Sequence, residues 1–259
     1  MTEVIDCEYT IEGSGPPLFL IHGIGAARDA WRFIVPILRD HFTIVTYDLR
    51  GHGASPMPSD EFGLDELVDD LERVRERTGF EKAHFSGHSL GGMIGPAYAQ
   101  KYPDRVLSLG LLSTAAGRTQ DDSAKVNGVV KAMENQGIAS VLETLTDRWF
   151  TDTFIASNSA IVRTRLDQVI STNPDVFLNV FRIYANVEMM PWLNKVDCPC
   201  LVLTGENDGG CNPRLNKGID SALPNSKLVI LPNYKHSILI EAPNIVAATM
   251  LQFIQNLNK

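Results

Sequence analysis

Ser86-Gly87-His88-Ser89-Leu90-Gly91-Gly92 is the stretch from which the rest of the chain can be read. An apolar run of strand length, Ala83-His84-Phe85-Ser86, leads into it. Gly91–Lys101, rich in small residues, leads out as a helix able to lie close to a sheet, with Pro96 predicting a kink. The stretch thus predicts a strand–turn–helix with G-x-S-x-G at the turn. The glycines have a steric reason. A serine on so sharp a turn takes a strained backbone conformation, and its neighbours two positions away must lack bulk. The turn lifts the Ser89 hydroxyl above the carboxyl edge of a sheet, where the start of the following helix supplies N–H groups and partial positive charge. The bland alternative is a glycine-rich turn without chemistry. A phosphate loop would need G-x-x-x-x-G-K-[ST], which this stretch lacks.

Outward from the turn, strand and helix signals alternate. Residues 18–21, Thr43–Tyr47 and Val106–Leu112 are short apolar runs, unbroken as in strands covered on both faces of a parallel sheet. Leu64, Leu67, Val68, Leu71 and Val74 recur at helical spacing between them. The alternation returns at 200–204 and 227–231, followed by a helix over 243–256 with Pro243 near its start. Such alternation predicts an α/β fold with a doubly wound, mostly parallel sheet. Residues 118–193 differ. They hold helical periodicity, no parallel-strand run, and the large side chains Met133, Trp149, Phe150, Phe154, Phe177, Phe181, Tyr184, Met189, Met190 and Trp192. They read as a helical insertion, its aromatics divided between core and a pocket beneath.

Composition narrows the function. The 259 residues carry 23 Lys+Arg against 31 Asp+Glu, a net charge of −8. Nucleic-acid binders usually show a basic face, so no nucleic-acid partner is expected. No apolar run approaches the roughly 20 residues a spanning helix needs, so no membrane partner is expected. Met-Thr-Glu-Val-Ile-Asp lacks the basic and apolar regions of a secretory signal. Cys7, Cys198, Cys200 and Cys211 are too sparse for a disulfide scaffold. Cys198-Pro199-Cys200 lacks the second Cys/His pair of a zinc site. A reduced, cytoplasmic protein without metal or organic cofactor is expected.

The chain resembles the α/β-hydrolase superfamily along nearly its whole length. The likeness rests on His22-Gly23-Ile24-Gly25, on Asp48-Leu49-Arg50-Gly51-His52-Gly53, on the turn at Ser89 and on two late loops. It implies an about eight-stranded sheet with helices on both faces. The core domain would be 1–117 with 194–259, and 118–193 a helical cap. It also implies the roles of three residues. Ser89 is the nucleophile. His236, in the loop after the last strand, is the general base. Asp208, in Gly205-Glu206-Asn207-Asp208-Gly209-Gly210, is the acid that orients the imidazole. Glu206 is a rival for the acid; the stretch Leu112-Ser113-Thr114 after the sixth strand offers no carboxylate. The backbone N–H groups of Leu90 and Ile24 would meet the oxyanion. His22, His41 and His52 read as structural, His84 as core, His88 as packing or pocket lining. Trp31 is expected to pack on the Ile24 loop, with the pocket as its other place.

The resemblance is to the serine branch, since dehalogenases and epoxide hydrolases of this fold need a carboxylate at Ser89. Small carboxylesterases and enol-lactonases are the nearest in pattern, although enol-lactonases more often carry Leu-Ser-Met-Gly where this chain has His-Ser-Leu-Gly. A small-molecule ester or lactone is the expected substrate. Two other readings stand beside it: hydrolysis of a carbon–carbon bond in a ring-cleavage product, and a non-enzymatic ligand receptor that keeps the trio. Lyases and perhydrolases share the trio as well. Arg118 and Arg182 are candidates to greet an acidic substrate.

Overall fold

Seven strands form among residues 3–257, the part of the chain that the computed structural model describes. They are β1 (Tyr9–Gly13), β2 (Pro17–Ile21), β3 (Thr43–Tyr47), β4 (Ala83–His88), β5 (Val106–Leu112), β6 (Cys200–Gly205) and β7 (Ser226–Leu231). The helices, in chain order, are α1 (Val35–Leu38), α2 (Leu64–Thr78), α3 (Gly91–Lys101), α4 (Gln120–Gln136), α5 (Leu142–Trp149) and α6 (Asp152–Ser157). After them come α7 (Ser159–Ser171), α8 (Pro174–Asn186), α9 (Pro213–Ala222), α10 (Ile238–Glu241) and α11 (Pro243–Leu257). Pro96 sits inside α3, which runs through it.

The strand order is β1-β3-β2-β4-β5-β6-β7, with β1 antiparallel to β3 and every other pair parallel. The expected doubly wound sheet is therefore present with seven strands in place of about eight. One short strand alone precedes the parallel set. Ahead of it, the Ile5 amide donates to Asp70 and the Glu8 amide to Ser55 Oγ, so side chains do there what a strand partner would.

Strand alternation builds two cores. Leu18 and Leu20 of β2, with Leu201 and Leu203 of β6, pack on Trp31, Ile34, Leu38 and the α11 residues Val246 and Met250. Phe19, Ile21, Cys200 and Val202 face the other side, toward α2, α3 and α9. Apolar residues at successive positions are thus buried on opposite faces. Trp31 belongs to the first of these cores, fully buried. Helices covering both faces leave the carboxyl ends of the parallel strands as the edge where loops gather.

The Asp48–Gly53 block serves that edge structurally. Arg50 holds Asp70 of α2 with two bonds of 2.6 and 2.7 Å, both groups buried. Asp48 accepts the amides of Arg28 and Ala54. His22 accepts the Leu49 amide on Nε2 at 2.9 Å, so Nδ1 carries the proton and donates to the Gly23 carbonyl. Between β5 and β6 only helices and connecting turns occur, α4 to α8 among them.

Candidate active site

β4 ends at His88 and α3 begins at Gly91, so Ser89 and Leu90 alone make the turn. Ser89 has φ +57°, in the left-handed region that few non-glycine residues occupy. A Cβ on Gly87 would meet the Gly91 carbonyl at 2.0 Å, and one on Gly91 would meet the Ile21 carbonyl at 2.3 Å. Any side chain at either flanking position would break the turn, which is the physical content of G-x-S-x-G. The Ser89 amide donates to the Leu112 carbonyl of β5 at 2.8 Å. Leu90 stands at the N-cap of α3, where amides lack intrahelical acceptors.

The loop after β2 passes directly beside the serine. A Cβ on Gly23 would lie 3.0 Å from Ser89 Cβ and 3.1 Å from the His88 carbonyl. Glycine at 23 is what permits this approach, and it brings Ile24 to the same place.

His236 follows β7, and Asp208 follows β6. Main-chain bonds fasten the two loops together: Asn207 N to the Tyr234 carbonyl and Glu206 N to the Leu231 carbonyl, each 2.8 Å. His236 Nδ1 donates to Asp208 Oδ2 at 2.7 Å. The other carboxylate oxygen accepts the amides of Gly210 at 3.0 Å and Cys211 at 2.8 Å. Asp208 is thus held as an anion. Burial works against its charge, but His236 and the two amides hold its pKa below the usual aspartate value. Burial likewise disfavours a charged His236. The adjoining carboxylate outweighs it and raises the imidazole above its ordinary value. Glu206 instead caps the Asn233 amide from an exposed position, away from the imidazole.

His88 braces His236. Its Nε2 donates to the His236 carbonyl at 3.0 Å, and the two rings lie 4.9 Å apart. Burial, helped by the nearby His236, pushes its pKa down to about 3, so it stays neutral. His84 bonds Ser108 Oγ at 2.7 Å inside the sheet, and His52 bonds the Arg50 carbonyl at 3.0 Å.

One cavity is lined by Ser89, His236, Asp208, His88, Gly23 and Ile24 together with helices of the insertion. Of the expected aromatics, Trp149, Phe181 and Tyr184 reach it. Phe150, Phe177 and Met189 are fully buried core. Neither arginine singled out from the sequence lines it. Arg182 is bound outside by Glu134 and Glu61, and Arg118 stacks on the ring of Tyr184. Arg32, Arg148 and Arg165 line it instead. Helical spacing gives no sign of Arg148 and Arg165, because arginine on an insertion helix reads as a solvated face, and Arg32 lies in the connection between β2 and β3, outside the insertion.

Asp208, Cys211 and His236 are, among the described residues, the group of three side chains close enough to share a metal ion, with donor atoms within 4.8 Å of one another. Their donors are already engaged: both Asp208 oxygens as above, and Cys211 Sγ with Tyr184 Oη at 3.3 Å. The four cysteines are free. No helix among the described residues is long and apolar enough to cross a membrane.

With this geometry in view, comparison with known proteins is informative. Over 195 residues the chain is 27% identical to 3-oxoadipate enol-lactonase 2 of Acinetobacter baylyi, spanning 74% of this chain and 72% of that protein. It is 26% identical over 251 residues to (E)-2-((N-methylformamido)methylene)succinate hydrolase of the same organism, spanning 95% and 93%. The crystal structure of the enol-lactonase from Burkholderia xenovorans superposes with a TM-score of 0.91 at 22% identity, covering 98% of both chains, a likeness of fold. The family model for the alpha/beta hydrolase fold matches residues 16–243. The chain therefore belongs to the alpha/beta hydrolase fold family.

Proposed function

We propose that this protein is a serine hydrolase of small carboxylic esters or lactones, with residues 118–193 serving as a cap over a core of 1–117 and 194–259. One observation carries the proposal. Ser89, on a strained turn, shares a cavity wall with His236, whose Nδ1 is occupied by buried Asp208 at 2.7 Å. That bond leaves Nε2 as the nitrogen without a proton.

His236 Nε2 takes the Ser89 proton as Oγ attacks the carbonyl carbon. The Ile24 and Leu90 amides receive the charge that develops on the carbonyl oxygen. His236 then passes its proton to the leaving alkoxide, and an acyl-serine remains. Water, deprotonated by His236, attacks the acyl group and releases the carboxylic acid and free Ser89. In a lactone the alkoxide stays tethered to the acyl group, so one product leaves. Asp208 keeps the imidazole in the correct tautomer throughout.

The cavity wall favours acidic members of this class. Arg32 and Arg148 line it, whereas its acid, Asp208, is committed to His236. The relatives' names point the same way, one acting on a 3-oxoadipate enol-lactone and one on a substituted succinate. In a steady-state panel of short esters and lactones, each with and without a free carboxylate, multiple turnover is expected. The carboxylate-bearing member should lead by about 10-fold in kcat/KM, the scale of one charge-assisted contact. Turnover confined to a vinylogous diketone acid would favour carbon–carbon cleavage. A single slow turnover with retained product would favour a receptor.

A further inference from the structure

The insertion does more than roof the cavity. It grips the Ile24 loop. Gly25 has φ +56°, and a Cβ there would lie 2.4 Å from Phe177 Cε2 of α8 and 3.6 Å from Val169 Cγ2 of α7. Between these apolar contacts, Arg165 of α7 reaches the loop's main chain. Its Nη1 donates to the Gly25 carbonyl at 2.5 Å and its Nη2 to the Ile24 carbonyl at 2.9 Å. The guanidinium lies over the Trp149 ring at 4.7 Å. Among the described residues no carboxylate forms an ion pair with it, and nearby Asp29 is engaged by Gln168 and Arg32. Burial pushes its pKa down to about 10, with Asp29 acting upward and Arg32 downward, so it is charged at neutral pH.

From these contacts we infer that Arg165 is a positioning residue that sets the backbone N–H of Ile24 for the oxyanion, making the cap part of the hydrolytic apparatus. The inference rests on the serine-hydrolase reading for its kinetic consequence, though not for its structural one. A guanidinium holds two acceptors in a fixed fork, so it fixes the two peptide planes that follow Ile24, while His22 Nδ1 on the Gly23 carbonyl holds the plane that carries the Ile24 N–H; Ile24 is thereby pinned from both sides. A glycine in the left-handed region has no side chain to anchor its own loop. The fork from α7 supplies that anchor. An ammonium at this position has three rotatable donors but no planar fork, so it does not fix the angle between the two carbonyls.

The test compares Arg165→Lys and Arg165→Met with wild type. Removing one oxyanion donor costs about 100- to 1,000-fold in kcat, and misplacing one approaches that. Both variants should lose about 30- to 300-fold in kcat with KM within about threefold, on neutral and carboxylate-bearing esters alike. The lysine variant keeps the charge, so its pH midpoint should stay in place. A rise in KM confined to acidic substrates, with kcat intact, would overturn the inference and make Arg165 a substrate contact. Undiminished kcat on every substrate would overturn it too. Amide hydrogen exchange across residues 23–26 supplies a readout that needs no substrate. Exchange there should quicken in the lysine variant while the sheet's does not. Unchanged exchange would sink the clamp even if Ser89 proved not to be a nucleophile, and faster exchange would support it in that same case. Should the methionine variant fail to fold, the lysine variant, which keeps stem and charge, decides.

Discussion

Ser89→Ala is expected to lower kcat for ester hydrolysis by about 10⁴- to 10⁶-fold, leaving only the rate that binding and oxyanion contacts supply. The size follows from the role. A nucleophile splits one difficult displacement into two easier ones, and no neighbouring side chain can take its place. Among the residues lining the cavity, Cys, Thr and Lys are absent, and Ser237 is the one other hydroxyl of its type. The Ser237 amide is fixed to the Trp149 carbonyl at 2.9 Å. The fold should survive the change. Alanine keeps the Cβ, adds no bulk against Gly23, and is no worse than serine at φ +57°. Thermal unfolding within a few degrees of wild type, together with the kinetic loss, is the expected pair of results. A loss below about 10-fold would remove Ser89 from the mechanism.

Asp208→Asn should cost about 10⁴-fold in kcat, and the reason can be traced atom by atom. One carboxylate oxygen faces two amide donors, Gly210 N at 3.0 Å and Cys211 N at 2.8 Å. An asparagine must turn its carbonyl oxygen to them. Its NH₂ then faces His236 Nδ1, which must become an acceptor. The ring proton moves to Nε2, where it blocks uptake of the Ser89 proton. The same substitution should move the pH profile. Activity needs neutral His236, so kcat/KM rises with pH through the imidazole's titration. In wild type the Asp208 charge places that rise above the ordinary histidine value of about 6.5. Without the charge, burial is the largest influence left, with Cys211 acting more weakly against it, and burial favours the neutral ring, so the rise should shift to lower pH. An unmoved profile would mean that another group titrates.

Much of this site was legible in residue order alone. A G-x-S-x-G between an apolar run and a small-residue helix marks a strand–turn–helix, since the glycine clearances are local. The loops of Asp208 and His236 each follow an apolar strand run, so the parallel arrangement puts them at one edge. Asp208 over Glu206 came from the family pattern, and the buried amide donors around Asp208 give it a physical basis. β1 escaped notice because its alternation, Tyr9 and Ile11 against Thr10 and Glu12, is short and the strand is mostly exposed. α9 escaped for a similar reason. Its buried side chains are Leu215, Asn216 and Ile219, too few to show a period. The cavity's arginines were beyond reach in principle. Arg182 differs from Arg148 and Arg165 only in which way an insertion helix turns, and Arg118 lies in the connection ahead of α4; long-range packing fixes where each one points.

The proposed chemistry requires a covalent bond at one hydroxyl. Mass analysis of the protein after exposure to a fluorophosphonate tests it most directly. One phosphonyl group per chain is expected, carried on the peptide containing Ser89 and missing from the alanine variant. A chain that stays unmodified, or one labelled at a different residue, would contradict it.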